Sequence, residues 1–205
     1  MDIKRINTYD DVRFSSDVLA EHGAFVIDNK YPCSFKITNE KSARVEYHDY
    51  TCIAPIIDFF RFFAEHITVF YDTNGRKIAE FPQIETRIMR IDELQPSQFF
   101  VDTDKLKAVS SFVKSTEDMF IPIAFYEKIG RYISLDGHTR LYFAQQQGIK
   151  NVRVFITDPP ESIYDFADEA INRGVKKVSD MEVLPHDEYD IRWNKFCDDF
   201  FQRED

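Results

Sequence analysis

The segment of residues 132–156 constrains the fold more than any other part of the chain. Ile133 and Leu135 share one face, which is typical of a strand, and Leu141, Ala144 and Gln145 lie at helical spacing. Gly148 stands where a helix C-terminus is expected, and residues 152–156 alternate again. We therefore predict a strand at 131–135, a helix at 138–147 and a strand at 151–156, with Gly137 in the first turn.

The polar turn at residues 136–140 is the candidate functional site. Such a turn leaves backbone N–H groups free at the start of a helix, where their partial positive charge favours an anion, usually a phosphate. We expect Gly137, His138 and Thr139 to supply N–H groups, and Arg140 to reach the anion with its guanidinium. His138 and Asp136 are also candidates for a catalytic acid/base pair.

A structural interpretation of the same turn stays open. Asp136 or Thr139 could cap the helix, and Asp136 could fix the turn by accepting backbone N–H bonds. Arg140 would then pair with a surface carboxylate. In this interpretation the turn needs no ligand.

Four features in order resemble the ParB/sulfiredoxin-like superfamily, over residues 86–157. The first is Ile91-Asp92-Glu93-Leu94-Gln95-Pro96-Ser97-Gln98, which is similar to the opening I-x-x-L-x-P-x-Q strand of the family. A helix at 106–113 and a Pro-Ile strand at 121–123 follow, and then the Gly-x-x-Arg turn with its helix and strand. The resemblance implies an α+β protein with a ParB/sulfiredoxin-like domain.

The turn differs from two branches of that superfamily. Sulfiredoxins carry a nucleophilic Cys where this chain has His138, so chemistry on a peroxidised partner is not expected. Chromosome-partitioning ParB proteins carry Gly-Glu-Arg-Arg, whereas this chain reads Gly137-His138-Thr139-Arg140 and also lacks the second anchoring Arg after Pro-x-Gln-x. The Asp-Gly-His-x-Arg form is closer to a branch that contains nucleotide-dependent kinases of small hydroxylated metabolites.

The resemblance implies that the turn binds a nucleotide, with ATP, ADP or CTP and Mg²⁺ as the expected cofactors. If the protein is an enzyme, it resembles a phosphotransferase acting on a small hydroxylated molecule. In this fold Asp102 lies on a loop that faces the turn, where a carboxylate can bind Mg²⁺ or act as base. The alternative for Asp102 is an N-cap of the following helix.

Two other classes of function remain as alternatives. One is a non-catalytic ParB-like interaction or regulatory module, and the other is a ParB-like nuclease or DNA-associated protein. A formal net charge of -10 over 205 residues repels duplex DNA, and the chain has no recognisable helix-turn-helix, so we expect no DNA binding.

The rest of the composition indicates a soluble protein of the cytoplasm. The N-terminus has no apolar h-region, and no apolar stretch approaches the roughly 20 residues needed to span a bilayer. Three widely spaced cysteines without a Cys-x-x-Cys unit predict free thiols in a reducing compartment and no structural zinc site.

Turn and periodicity signals divide the chain into three regions. Residues 1–85 predict an N-terminal α+β half with an antiparallel meander, an apolar helix from Pro55 to Ile67, and a hairpin at Asn74-Gly75. Residues 86–157 form the ParB-like domain, and residues 158–205 form a C-terminal helical extension. The final helix is expected to begin near Pro185 and to dock an aromatic face on the body.

Overall fold

The computed structural model describes residues 1–48 and 52–202. It divides into two compact units, Met1–Glu85 and Thr86–Asp205. Both units combine strands with helices, so the protein is of mixed α and β structure, in agreement with the predicted α+β class. The helices after residue 157 belong to the second unit.

The first unit is built on a six-stranded sheet with the strand order β1-β2-β3-β4-β5-β6. All neighbours are antiparallel except β4 and β5, which run parallel because helix α2 crosses between them. The strands are β1 Ile3–Arg5, β2 Ala24–Ile27, β3 Tyr31–Asn39, β4 Ser42–Glu46, β5 Val69–Tyr71 and β6 Lys77–Glu80, and the helices are α1 Ser16–Ala20 and α2 Ala54–Phe63.

The predicted meander and the Asn74-Gly75 hairpin are confirmed, with one turn tighter than expected. We placed a turn at residues 29–32, but β3 already begins at Tyr31. Asp28 and Asn29 both adopt positive φ, of 50° and 56°. Two successive left-handed residues help to reverse the chain within the three residues 28–30, so the strand starts earlier.

Aromatic side chains hold α2 against this sheet. Phe60 stacks on Phe35 with ring centroids 4.2 Å apart and meets Phe70 edge to face at 6.0 Å. Phe35 and Phe70 are fully buried. The apolar stripe predicted along α2 is therefore core, as expected from its helical spacing.

The second unit contains a mixed five-stranded sheet with the order β7-β12-β10-β11-β8, and a separate parallel pair of β13 with β9. Its strands are β7 Arg87–Arg90, β8 Leu94–Pro96, β9 Phe100–Asp102, β10 Phe120–Tyr126, β11 Arg131–Ser134, β12 Asn151–Ile156 and β13 Glu182–Leu184. Its helices are α3 Thr103–Phe112, α4 His138–Gln146, α5 Ser162–Asn172, α6 His186–Tyr189 and α7 Lys195–Phe201.

The central prediction is confirmed here: β11, α4 and β12 follow one another as strand, helix and strand. Two other predictions need correction. The opening strand expected at residues 91–98 is a 3₁₀ turn, Ile91–Glu93, followed by the short β8. The helix expected at 106–113 begins at Thr103, because Asp102 caps it.

The final helix is interrupted rather than continuous. Residues Asp190–Asn194 form a π-helical segment between α6 and α7. Trp193 lies in this segment and contacts Phe99 at 5.1 Å and Phe166 at 6.0 Å between ring centroids. The predicted docking of the aromatic face is thus confirmed.

The five-stranded sheet buries both of its faces. Ile121 and Val154 join a large apolar cluster with Leu141 of α4. Ala124 and Ile133 pack with Ala167 of α5 on a second cluster. Helices therefore pack on both faces of the sheet to which β11 belongs, and the turn follows directly from the end of that strand.

Within residues 1–48 and 52–202, no helix combines the length and the apolar character required to cross a bilayer. All three cysteines are free thiols, as predicted: Cys33 is buried, Cys52 is exposed and Cys197 is intermediate.

Gly23 provides a test of the packing in the first unit. A Cβ at this position would lie 2.0 Å from the Phe35 carbonyl oxygen, which is backbone and cannot rotate away. We expect Gly23→Ala to lower the free energy of unfolding by at least about 3 kcal/mol, the upper part of the range for overpacking. Urea unfolding followed by circular dichroism measures this loss.

Gly75→Asn is the matched control, since no heavy atom of residues 1–48 and 52–202 lies within 4 Å of a Cβ there and Asn tolerates positive φ. An equal loss in both variants would show that the close approach at Gly23 is not the cause.

Candidate functional site

The turn between β11 and α4 depends on the absence of a side chain at Gly137. Gly137 adopts φ of +76°, and a Cβ there would lie 2.5 Å from Ile121 Cδ1 and 2.9 Å from Arg140 Nη2. The left-handed backbone favours glycine, and the absence of a Cβ leaves room for the ends of the Ile121 and Arg140 side chains. The guanidinium of Arg140 consequently lies directly across the turn.

No side chain of the described residues caps the N-terminus of α4. Gly137 occupies the cap position, and the first intrahelical bond runs from Leu141 N to Gly137 O at 2.9 Å. The N–H groups of His138, Thr139 and Arg140 donate to no acceptor in the described part of the chain. The interpretation of Asp136 or Thr139 as the cap of α4 is therefore wrong.

Each terminal nitrogen of the Arg140 guanidinium contacts an oxygen. Its Nη2 lies 3.2 Å from Asp136 Oδ2, and its Nη1 donates to the Phe120 carbonyl at 3.3 Å. The Arg140 side chain is 21% exposed, whereas that of Asp136 is 60% exposed. The expected pairing of Arg140 with a surface carboxylate is thus observed, and the partner lies within the turn itself.

His138 lies in the interior, away from the open side of the turn. Its Nε2 is 3.2 Å from both the Ser97 backbone N and Ser97 Oγ, and 3.1 Å from the Ser134 carbonyl oxygen. Burial lowers the pKa of His138 to about 4, although the nearby Asp136 carboxylate opposes this shift. The ring is neutral at pH 7, and in either tautomer Nε2 makes its contacts within the protein.

Asp102 performs the structural role that we considered for it. Its Oδ1 accepts a hydrogen bond of 2.8 Å from the Asp104 backbone N and so caps α3. Its Oδ2 lies 2.8 Å from His186 Nδ1, and the Asp102 side chain is fully buried. None of its hydrogen bonds reaches a residue of the turn in the chain as described.

The sequence did not reveal His186 as a partner of Asp102. His186 is half exposed at the start of α6, and its Nε2 lies 3.5 Å from Asp190 Oδ2. The hydrogen bond to Asp102 is the main cause of a raised His186 pKa, and the charges of Asp102, Asp190 and Asp104 add to it. The only sequence signal is a pair of residues 84 positions apart, which no local pattern connects.

The hydrogen bonds of the predicted site residues thus fall into two groups. Asp136, Gly137, Thr139 and Arg140 form one cluster, with His138 buried beneath them. Asp102 belongs to a second cluster with His186. Over residues 1–48 and 52–202, no group of three or more His, Cys, Asp or Glu side chains has the arrangement of a metal site.

Comparison with known proteins adds little to this geometry. No family model matches the chain. No curated protein matches it either. Among solved structures, a crystal structure of protein Atu1540 from Agrobacterium tumefaciens is similar, with a TM-score of 0.35 and 14% identity over 50% of this chain. The chain spans 64% of the length of that protein, which is less than two thirds.

The Asp102–His186 pair predicts a pH-dependent contribution to stability. Because the folded pKa of His186 is raised, its contribution is complete below the unfolded pKa of about 6.5 and is lost as pH rises through the folded value. We expect His186→Gln to lower the free energy of unfolding more at pH 5.5 than at pH 9. Urea unfolding of both proteins at the two pH values measures the difference.

Asp102→Asn is the companion variant, because an amide oxygen can still cap α3 but carries no charge. In that background His186→Gln should cost the same at both pH values. A persistent pH dependence there would assign the effect to Asp190 or Asp104 instead.

Proposed function

We propose that the turn between β11 and α4 binds a phosphorylated ligand, with ATP, ADP or CTP together with Mg²⁺ as the candidate nucleotides. We further propose that residues 86–157 adopt a ParB/sulfiredoxin-like arrangement, in which this turn is the ligand-binding element. One observation carries the proposal: three N–H groups at the start of α4, which find no acceptor among the described residues, lie near the guanidinium of Arg140. Both are donors suited to a phosphate oxygen.

The physical basis is the combination of a helix N-terminus with a fixed cation. The N–H groups of His138, Thr139 and Arg140 carry the positive end of the α4 dipole, and hydrogen bonds to a charged acceptor are about twice as strong as neutral ones. Gly137 lets the backbone approach a ligand closely because it has no side chain. A phosphate seated there would receive backbone and guanidinium bonds together.

Asp136 has a defined place in this proposal. Its carboxylate lies against Arg140 and neutralises it while no anion is bound. A phosphate carries more charge than a carboxylate and would compete for the same guanidinium. Since Asp136 is exposed, it can turn outward and offer an oxygen ligand to a Mg²⁺ ion that accompanies the phosphates.

Phosphoryl transfer to a small hydroxylated molecule is the second part of the proposal. Two of the three candidate catalytic residues are committed to structural bonds: His138 to Ser97 and Ser134, and Asp102 to α3 and His186. Asp136 is the exposed carboxylate that remains to accept a proton from an acceptor hydroxyl. Because His138 and Asp102 make structural hydrogen bonds, the alternative function is a non-catalytic module that binds a nucleotide and responds to it.

Arg140→Ala tests ligand binding directly. Losing a charge-assisted contact of this kind should weaken nucleotide binding by roughly 1.5–3 kcal/mol, or about 10- to 150-fold. Isothermal titration with ATP, ADP and CTP in the presence of Mg²⁺ measures the affinity. A thermal unfolding curve shows that the variant remains folded despite losing the bond to the Phe120 carbonyl.

Arg90→Ala is the matched control for charge, because Arg90 is an exposed arginine of the same unit that pairs with Asp92. Asp136→Asn should instead strengthen the binding of nucleotide measured without Mg²⁺, since it frees the guanidinium. Unchanged affinity in Arg140→Ala, or equal losses in the two arginine variants, would remove the turn as the binding site. Duplex DNA, added as a competitor at about 150 mM salt, should leave nucleotide binding unchanged.

Turnover separates an enzyme from a binding module. With Mg²⁺ and a panel of amino acids, sugars and nucleosides as acceptors, we expect nucleotide consumption to fall about 10²- to 10⁴-fold in Asp136→Asn while nucleotide still binds. His138→Gln should mainly lower thermal stability, because its Nε2 contacts are internal. If His138→Gln abolishes turnover in a folded protein with intact affinity, His138 is the base and the assignment to Asp136 is wrong. If no acceptor raises turnover while nucleotide binds, the protein is a binding module.

A further inference from the structure

A groove lies between α5 and α7 in the second unit, apart from the turn that the proposed function uses. It encloses about 540 Å³. Phe100, Phe196 and Phe200 form apolar walls, and the carboxylates of Asp165, Asp168 and Asp199 line its edges. The volume falls within the range of about 300–1,000 Å³ typical of ligand pockets.

The aromatic rings around this groove already pack against guanidinium groups of the protein itself. Arg173 lies over the Phe99 ring at 4.3 Å and over Phe196 at 5.4 Å, and Arg192 lies over Phe100 at 4.3 Å. Guanidinium groups are weakly hydrated and planar, so they stack on aromatic faces better than an ammonium does. The groove therefore provides the surroundings that an arginine side chain prefers.

Both of these internal arginines are neutralised by their own partners. Arg173 pairs with Glu169 at 2.7 Å, and Arg192 pairs with Glu182 and Glu188 at 3.1 Å each. They leave Asp165 and Asp199 free, since neither makes a hydrogen bond or ion pair within the described residues. Two carboxylates in the groove are thus available to a cation from outside.

The wider surface reinforces this charge. Residues 158–205 contain 14 acidic and 6 basic side chains, so this region, less than a quarter of the chain, carries most of the net charge of -10. Asp168 is shared with Lys128 at 2.6 Å and Tyr126 at 3.0 Å. Lys195 also lines the groove and has no ion-pair partner in the part of the chain described, so its positive charge would repel a bound cation.

We propose that this groove binds an arginine side chain of a basic peptide segment of another protein. The guanidinium enters between the phenylalanine walls and bonds to Asp165 and Asp199, while flanking basic residues of the peptide run over the acidic surfaces of α5 and α7. Charge complementarity and the packing of Arg173 and Arg192 select this occupant. The site is independent of the turn, so failure of one proposal leaves the other intact.

The single tryptophan of the chain provides the readout. Trp193 packs on Phe196, a groove wall, with ring centroids 5.7 Å apart. We expect its fluorescence to change saturably when the full chain is titrated, at about 150 mM salt, with a peptide of alternating arginine and serine. Peptides with lysine or glutamate in place of arginine should bind more weakly or not at all.

Matched charge variants locate the site. Asp165→Asn with Asp199→Asn removes both free carboxylates and should weaken binding about tenfold or more. Asp187→Asn with Asp198→Asn makes the same change in net charge at exposed positions outside the groove, and should change affinity less than about threefold. Lys195→Ala should strengthen binding. Asp165→Asn alone serves as a second groove variant and should give an intermediate loss.

Several results would overturn the proposal. Equal losses in the two double variants would indicate general attraction to the acidic surface. Weaker binding in Lys195→Ala, or tight binding of the glutamate peptide, would indicate an anionic ligand. Free arginine or spermidine binding as tightly as the peptide would replace the peptide with a small organic cation. If Trp193 emission shows no saturable change, the groove does not bind an arginine peptide and the proposal is wrong.

Discussion

The buried contact of His138 with Ser97 and Ser134 is the interaction on which the rest of the second unit depends. It joins the loop after β8, the end of β11 and the first residue of α4 at one point. A neutral imidazole suits this place, because an unpaired charge there would cost far more than a hydrogen bond returns. With its start fixed in this way, α4 presents the N–H groups and the guanidinium of the turn in one constant geometry.

The same loop connects the turn to the C-terminal helices. Gln98 follows Ser97 and donates to the Tyr189 hydroxyl at 3.1 Å, and Asp102 at the end of β9 bonds to His186. Residues 97–102 thus bond to His138 at one end and to residues of α6 along the rest of their length. Displacement of α6 would alter the loop that anchors the start of α4, which gives the C-terminal region a physical route to the turn.

The positions of individual strands and helices could be predicted from the sequence, whereas the hydrogen-bond partners of polar side chains far apart in sequence could not. The alternation of residues 152–156 and the helical spacing from Leu141 to Gln145 located β12 and α4, because one buried face imposes its period on neighbouring residues. The importance of Gly137 was also visible, since the turn is polar and short. The partners of the polar side chains lie far away in sequence: Ser97 is 41 residues from His138.

The partners of the candidate site residues could not be predicted for the same reason. A histidine beside a glycine in a polar turn has the residue types of a catalytic base, and no local pattern reveals that His138 is buried. Asp102 was recognised as a possible cap, but its second oxygen finds His186, which no local pattern points to. The groove between α5 and α7 is made by packing two helices together, and no single segment contains it.

The π-helical segment at Asp190–Asn194 accommodates one residue more than the α turns on either side of it. If the same residues formed a regular α-helix, α7 would be rotated by about 100° relative to α6. Phe200 would then leave the Phe166 ring that it now meets at 4.6 Å. Deleting one exposed residue of the segment, such as Ile191 or Asn194, would instead restore a regular α-helix and leave α7 in its present orientation. A homologue one residue shorter at this point can therefore keep the same aromatic contacts with an uninterrupted helix.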